Sequence, residues 1–217
     1  MEEKKVFSIL GDSISTFAGY TPTEAVFYDA WTKKEAGVFQ PEDTWWMQVI
    51  KGAGGVLGVN NSYAGSLVSG HMATSGTSEQ RIAALGKKGE PDVILVAMGM
   101  NDWAFSVLPE EFEFEYRKMI QRLKEYYPES KICCATLLRG CLDDSHDELF
   151  FNAEGCISQK IYSDIIRRVV KESEVYLADL GKYGMEYKTI DGVHPTKEGM
   201  DTLVDLWLKE MSQRRLS

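Results

Sequence analysis

A serine hydroxyl is a weak nucleophile until a base takes its proton, and the usual base is a histidine oriented by a carboxylate. Ser13 lies in the run Gly11-Asp12-Ser13-Ile14, while Asp191 and His194 stand three residues apart in the run from Asp191 to Pro195. In a tight turn before a helix, that spacing can bring the carboxylate to one ring nitrogen of the same histidine, leaving the other for Ser13. Pro195 is placed to stiffen the turn and start the helix. Attack on an ester carbonyl would create an oxyanion, which needs preorganised donors. The candidates are the backbone N–H of Gly65, the side chain of Asn101 after Gly99, and the backbone N–H of Ser13. Taken singly these residues are ordinary. A serine after a strand is usually a cap, Asn101-Asp102 and Asp191-Gly192 read as turns, and a lone histidine is more often structural.

The elements around them give the set its meaning. Short apolar runs at 6–10, 56–59 (running on towards 61), 92–98, 131–137 and 175–178 read as strands covered on both faces. Amphipathic patterns at 44–51, 77–85, 109–127, 158–171 and 196–211 read as helices. Asp43 or Thr44 would cap the first of these, and Pro109 suits the first turn of the third. This alternation predicts an α/β fold, a parallel sheet of about five strands wound on both faces. Ligands of such sheets sit beyond the carboxyl ends of the strands. Ser13, Gly65 and Asn101 follow the first three strands, and Asp191 and His194 lie between the fifth strand and the last helix, so one sheet edge gathers all five. Two segments read as long loops, 15–43 and 139–156, and such loops are often functional.

The 217 residues fit one domain, 1–217, with 44% hydrophobic and 26% charged residues. A net charge of -9 disfavours nucleic acid and anionic lipid as partners. The opening MEEKKVFSIL does not read as a secretory signal, and no apolar stretch reaches the roughly 20 residues of a membrane span. The expected location is the cytoplasm. Cysteines 133, 134, 141 and 156 form no CxxC pattern and read as buried thiols. The histidines at 71, 146 and 194 are too scattered for a zinc site, and the first two read as loop residues. The GAGG run at 52–55 precedes a strand and lacks the final glycine of a dinucleotide loop, so a helix end or loop is expected there.

The four blocks together resemble the SGNH hydrolases, also called the GDSL esterase/lipase family. Gly11 to Ile14 matches the first block, Gly65 in NNSYAGS the second, Gly99 to Asp102 the third and Asp191 to Pro195 the last. They occur in the family's order across nearly the whole chain. Ile14 stands where leucine is usual. The segment SLVSGHMATSGT after Gly65 leaves Gly70 as a rival for the donor role. The resemblance implies a three-layer α/β/α sandwich of flavodoxin-like type. It makes Ser13 the nucleophile, Gly65 and Asn101 the oxyanion donors, His194 the base and Asp191 its partner, with no cofactor and no metal.

The substrate expected is a small-molecule ester of a short acyl group, above all an O-acetyl ester on carbohydrate. A lysophospholipase or thioesterase, an acyltransferase and a binding protein that has lost catalysis are the alternatives. Asp12, Tyr20, Trp31 and Trp103 are the expected substrate-binding residues. Phe27 and Tyr28 join the aromatic group of the first long loop, whereas Trp45 and Trp46 open a helix and read as core. The sequence leaves the oligomeric state open.

Overall fold

Apolar side chains on both sides of a strand need cover on both sides, and the fold follows from that requirement. The computed structural model describes residues 4–141, 157–214 and 216. Its strands are β1 (Val6–Gly11), β2 (Val56–Ser62), β3 (Val93–Ala97), β4 (Lys131–Ala135), β5 (Arg139–Cys141), β6 (Tyr176–Ala178) and β7 (Glu186–Lys188). The helices are α1 (Thr32–Ala36), α2 (Trp45–Gly52), α3 (Glu79–Ala83), α4 (Met100–Ala104), α5 (Pro109–Tyr126), α6 (Gln159–Glu172) and α7 (Lys197–Gln213). Five strands form a parallel sheet in the order β2-β1-β3-β4-β6.

Successive residues of a strand face opposite sides, and here both sides are buried. Phe7, Ile9, Val93, Leu95 and Cys133 face one core with Trp45, Trp46, Met200 and Trp207 of α2 and α7. Leu10, Ile94, Val96, Ile132 and Cys134 face the other, with Ile82, Tyr116, Met119 and Ile166 of α3, α5 and α6. The result is the expected three-layer sandwich. The strand order reverses at β1, where β2 lies on one side and β3 on the other. The crevice beyond the carboxyl ends of β1 and β3 is the natural site of a ligand.

Capping sets where the helices begin. Thr44, and not Asp43, caps α2 by accepting the Met47 N–H, while Asp43 accepts the Phe39 and Gln40 N–H groups at 3.0 Å. Ser78 caps α3, Ser158 caps α6 and Thr196 caps α7. Pro195 therefore stands one residue before the cap and does not open the helix. Residues 139–141, expected as loop, form β5 and pair with β7. Three-residue strands are too short to show a period. The rest of the expected second loop, 142–156, with His146 and Cys156, lies outside the described residues. The first long loop contains α1 and single 3-10 turns, and Gly52 ends α2 as expected of the GAGG run.

The Trp45 and Trp207 rings stack with centroids 5.1 Å apart and planes 7° from parallel, joining α2 to α7. Both are buried. Trp207→Ala is expected to lower the unfolding free energy by about 3–5 kcal/mol, the usual cost of emptying a large core site. Urea denaturation followed by circular dichroism measures it.

Candidate active site

The nucleophile candidate is set by the end of the central strand. Gly11 closes β1, and a Cβ there would lie 2.7 Å from Ser15 and Ser62 side-chain atoms, so a larger residue would have to push those serines aside. Ser13–Ser15 then makes one 3-10 turn, capped by Asp12, whose Oδ1 accepts the Ile14 N–H at 3.1 Å. Thr16 closes the turn by donating its N–H and its hydroxyl to Ser13 O at 3.2 and 2.8 Å. Asn60 holds it from β2, donating Nδ2–H to Ser15 O at 2.9 Å.

The histidine turn is built at the other end of the chain. Asp191 Oδ1 accepts the N–H groups of Val193 and His194 at 3.0 and 2.8 Å, and its Oδ2 meets His194 Nδ1 at 2.6 Å. A carboxylate at Nδ1 assigns the proton to that nitrogen and leaves Nε2 as acceptor. His194 Nε2 lies 2.8 Å from Ser13 Oγ, across 181 residues of sequence. Burial works against the charge on Asp191. The His194 ring and backbone N–H groups outweigh it and hold the carboxyl below its usual range.

The unforeseen ribbon braces this turn. Thr189, just after β7, donates its N–H and hydroxyl to Cys141 O at 2.8 and 2.7 Å, and Gly192 N–H donates back to the Thr189 hydroxyl at 2.7 Å. A Cβ on Gly140 of β5 would lie 2.5 Å from Gly192 O. Tyr187 and Tyr28 donate their hydroxyls to Val193 O and Pro195 O, each at 2.8 Å.

The oxyanion-donor candidates meet on a third side. Gly65 has φ +72°, a left-handed conformation that favours glycine although the space around its Cα is open. Asn101, in the first turn of α4, donates Nδ2–H to Ser66 O at 2.8 Å, which ties it to the residue after Gly65. One amide hydrogen is used there and a second remains. The backbone N–H groups of Ser13 and Gly65 have no acceptor among the described residues. Gly70 also has positive φ, +84°.

Two buried charges support the loop between β2 and α3. Arg81, 2% exposed, donates to Gly11 O, to Asn61 O at 2.9 Å, to Ser66 Oγ at 3.1 Å and to Thr74 O at 2.5 Å. Burial pulls its guanidinium down to about 10, still cationic at neutral pH. Asp102 accepts the Val68 and Ser69 N–H groups at 2.8 and 3.0 Å. Burial pushes its carboxyl up, against the pull of those N–H groups. Sequence reading passes over Arg81, because an arginine beside Ile82 reads as the wet edge of a helix.

The expected substrate-binding residues sit in different surroundings. Asp12 is buried and lines, with Ile14, Met98, Met100, Leu137 and Tyr187, a mainly apolar cavity beside the nucleophile turn. Tyr20 packs on Phe17 and Trp46, Trp31 is 79% exposed, and Trp103 donates Nε1–H to Ile157 O at 2.9 Å. Tyr28 is fully buried and serves the histidine turn, whereas Phe27 stacks on His194 itself. Cys133 and Cys134 lie buried in β4, where desolvation keeps both thiols protonated and pushes Cys134 up to about 12. Among the described residues, no three His, Cys, Asp or Glu side chains gather as metal ligands would. No helix among them is long and apolar enough to cross a membrane.

Fold and motifs converge with the comparisons. The model of the GDSL-like lipase/acylhydrolase family matches residues 5–211, and the chain belongs to this family of hydrolases. The structure is similar to that of a GDSL-like lipase from Bacteroides uniformis, with TM-score 0.74, 26% identity, and 98% of this chain and 97% of that one covered. It also shares its fold with the psychrotrophic esterase EstA from Pseudoalteromonas, with TM-score 0.62, 15% identity and 99% and 100% coverage. Est24, a carbohydrate acetylesterase from Sinorhizobium meliloti, gives TM-score 0.69, 15% identity and 98% and 99% coverage. No curated protein matches the chain.

Burial is the largest influence on Asp12 and pushes its carboxyl from 3.8 up to about 6, against the Ile14 N–H and the charges of His194 and Arg81. A raised carboxyl contributes most to stability at low pH, where it is neutral in both states, and loses that contribution as the pH rises through about 6. Asp12→Asn keeps an acceptor for Ile14. It is expected to stabilise the protein by a few kcal/mol above about pH 7 and by little near pH 4. Urea denaturation at the two pH values tests the difference.

Proposed function

We propose that this protein is a serine esterase that cleaves small carboxylic esters through an acyl-enzyme on Ser13. The observation that carries the proposal is the unbroken chain from Ser13 Oγ through His194 to Asp191, with contacts of 2.8 and 2.6 Å. In this reading Ser13 Oγ attacks the ester carbonyl while its proton passes to His194 Nε2. Asp191 steadies the imidazolium and keeps the tautomer. The oxyanion takes hydrogen bonds from Ser13 N–H, Gly65 N–H and the second Asn101 amide hydrogen. Collapse breaks the ester C–O bond, and the imidazolium protonates the departing alcohol. A water, deprotonated by the same nitrogen, then attacks the acyl-enzyme and releases the acid and the free serine.

The preferred substrates in this reading are O-acetyl esters of carbohydrates. The exposed Trp31 ring offers a sugar-stacking surface, and the fold is shared with a carbohydrate acetylesterase. Side-chain exposure of 44% at Asp191 and 15% at His194 leaves water a path to the base, which favours hydrolysis over acyl transfer. The reduced pair Cys133 and Cys134 suits a cytoplasmic setting.

Ser13→Ala is expected to abolish nearly all turnover while preserving the melting temperature. Asn101→Ala is expected to lower kcat by about 100- to 1,000-fold with a smaller effect on KM, since the oxyanion exists in the transition state. Steady-state hydrolysis of p-nitrophenyl esters of graded chain length, alongside acetylated sugars, tests both the mechanism and the substrate. A rate maximum at long chains would replace the carbohydrate reading with a lipid one, and a fully active Ser13→Ala protein would refute the mechanism.

A further inference from the structure

The two hydrogen bonds of the His194 ring lie in its plane and leave its faces unguarded. One face is covered by Phe27, whose ring centroid lies 3.4 Å from that of the imidazole with planes 11° from parallel. Phe27 is itself fixed. Its N–H donates to Thr16 Oγ1 at 2.9 Å, and the same Thr16 hydroxyl donates to Ser13 O at 2.8 Å. Its carbonyl accepts from the Thr32 hydroxyl and from Asp29 N–H. The next residue, Tyr28, bonds Pro195 O beside the histidine. The ring on His194 is thus anchored to the turn that carries Ser13.

We propose that Phe27 is a positioning residue for His194, keeping the imidazole in line with Ser13 and stabilising the imidazolium that forms when Ser13 gives up its proton. A π face attracts a cation more strongly than a neutral ring, so the contact strengthens as the proton arrives. An interaction stronger in the transition state than in the ground state raises kcat. The charged groups near the imidazole are Asp191 of its own turn and Asp12 of the nucleophile turn. Tyr28 and Tyr187 lie close to both carboxylates, and burial pushes both phenols up, so they stay neutral. The proposal rests on the serine–histidine reading of the site.

Phe27→Leu keeps apolar cover on the imidazole and removes the π face, Phe27→Met does the same with a different shape, and Phe27→Tyr keeps the π face. The Leu and Met variants are expected to lose about 3- to 30-fold in kcat, the range of a partly desolvated cation–π contact, with KM changed much less. In the resting proteins, the His194 ring C–H resonances are expected to titrate at lower pH than in wild type, by about half a unit or more. These resonances are assigned by their loss in His194→Gln. Because Asp12 titrates in the same range, the ring resonances and not the activity profile assign the shift. Phe27→Tyr is expected to retain the wild-type titration midpoint. A π-free variant that melts like wild type and keeps both its kcat and its His194 midpoint would overturn the proposal. So would Tyr and Leu variants that shift alike. The titration needs no turnover, so an active Ser13→Ala protein would refute the serine mechanism while leaving the contact itself measurable.

Discussion

A guanidinium nearly out of reach of water holds the site together. Isolated, a buried charge is very costly, and it persists where surrounding dipoles satisfy it. Arg81 is satisfied by carbonyls at the ends of β1 and β2 and by the Ser66 hydroxyl and Thr74 carbonyl. The segment from Tyr63 to Thr77 has neither helix nor strand to pair its backbone, yet much of it lies under cover. Arg81 takes its acceptors and Asp102 takes its donors, so two opposite charges replace the missing ladder. Gly65 and Ser66 are held beside the nucleophile turn by this division of labour.

The same economy governs the histidine side. The Asp191–His194 turn is irregular, and its shape is kept by a three-residue strand pair, two tyrosine hydroxyls and a threonine. The segment 186–189 supplies most of these supports, and β5 and Tyr28 bring the rest from distant parts of the chain. Asp191 and His194 therefore ride on an irregular turn, while rigid elements behind them supply the precision.

What could be read in the sequence divides along these lines. The five sheet strands were legible because each carries a short apolar run, and the long helices because of their spacing and their caps Thr44, Ser158 and Thr196. Ser13, Asp191 and His194 could be singled out because their chemistry fixes residue type and local spacing. Arg81 and Asp102 could not, since a charge looks solvated until its partners, many residues distant, are known. The β5–β7 pair escaped because Arg139–Cys141 and Glu186–Lys188 carry no apolar run. Phe27 and Tyr28 stood out as aromatics of a loop, but only the fold distinguishes a clamp on His194 from a pocket wall.

The Ser13 to His194 contact also orders events in time. Ser13 and His194 stand 181 residues apart, and the strands that extend the sheet outward from β1 lie between them. Contacts of such long range form late, because the intervening chain must first be gathered. Until the chain has folded, Ser13 has no imidazole beside it. On the proposed mechanism, reactivity arises only when the Asp191–His194 turn docks on Ser13, so competence to react would itself report that the sheet between them has assembled.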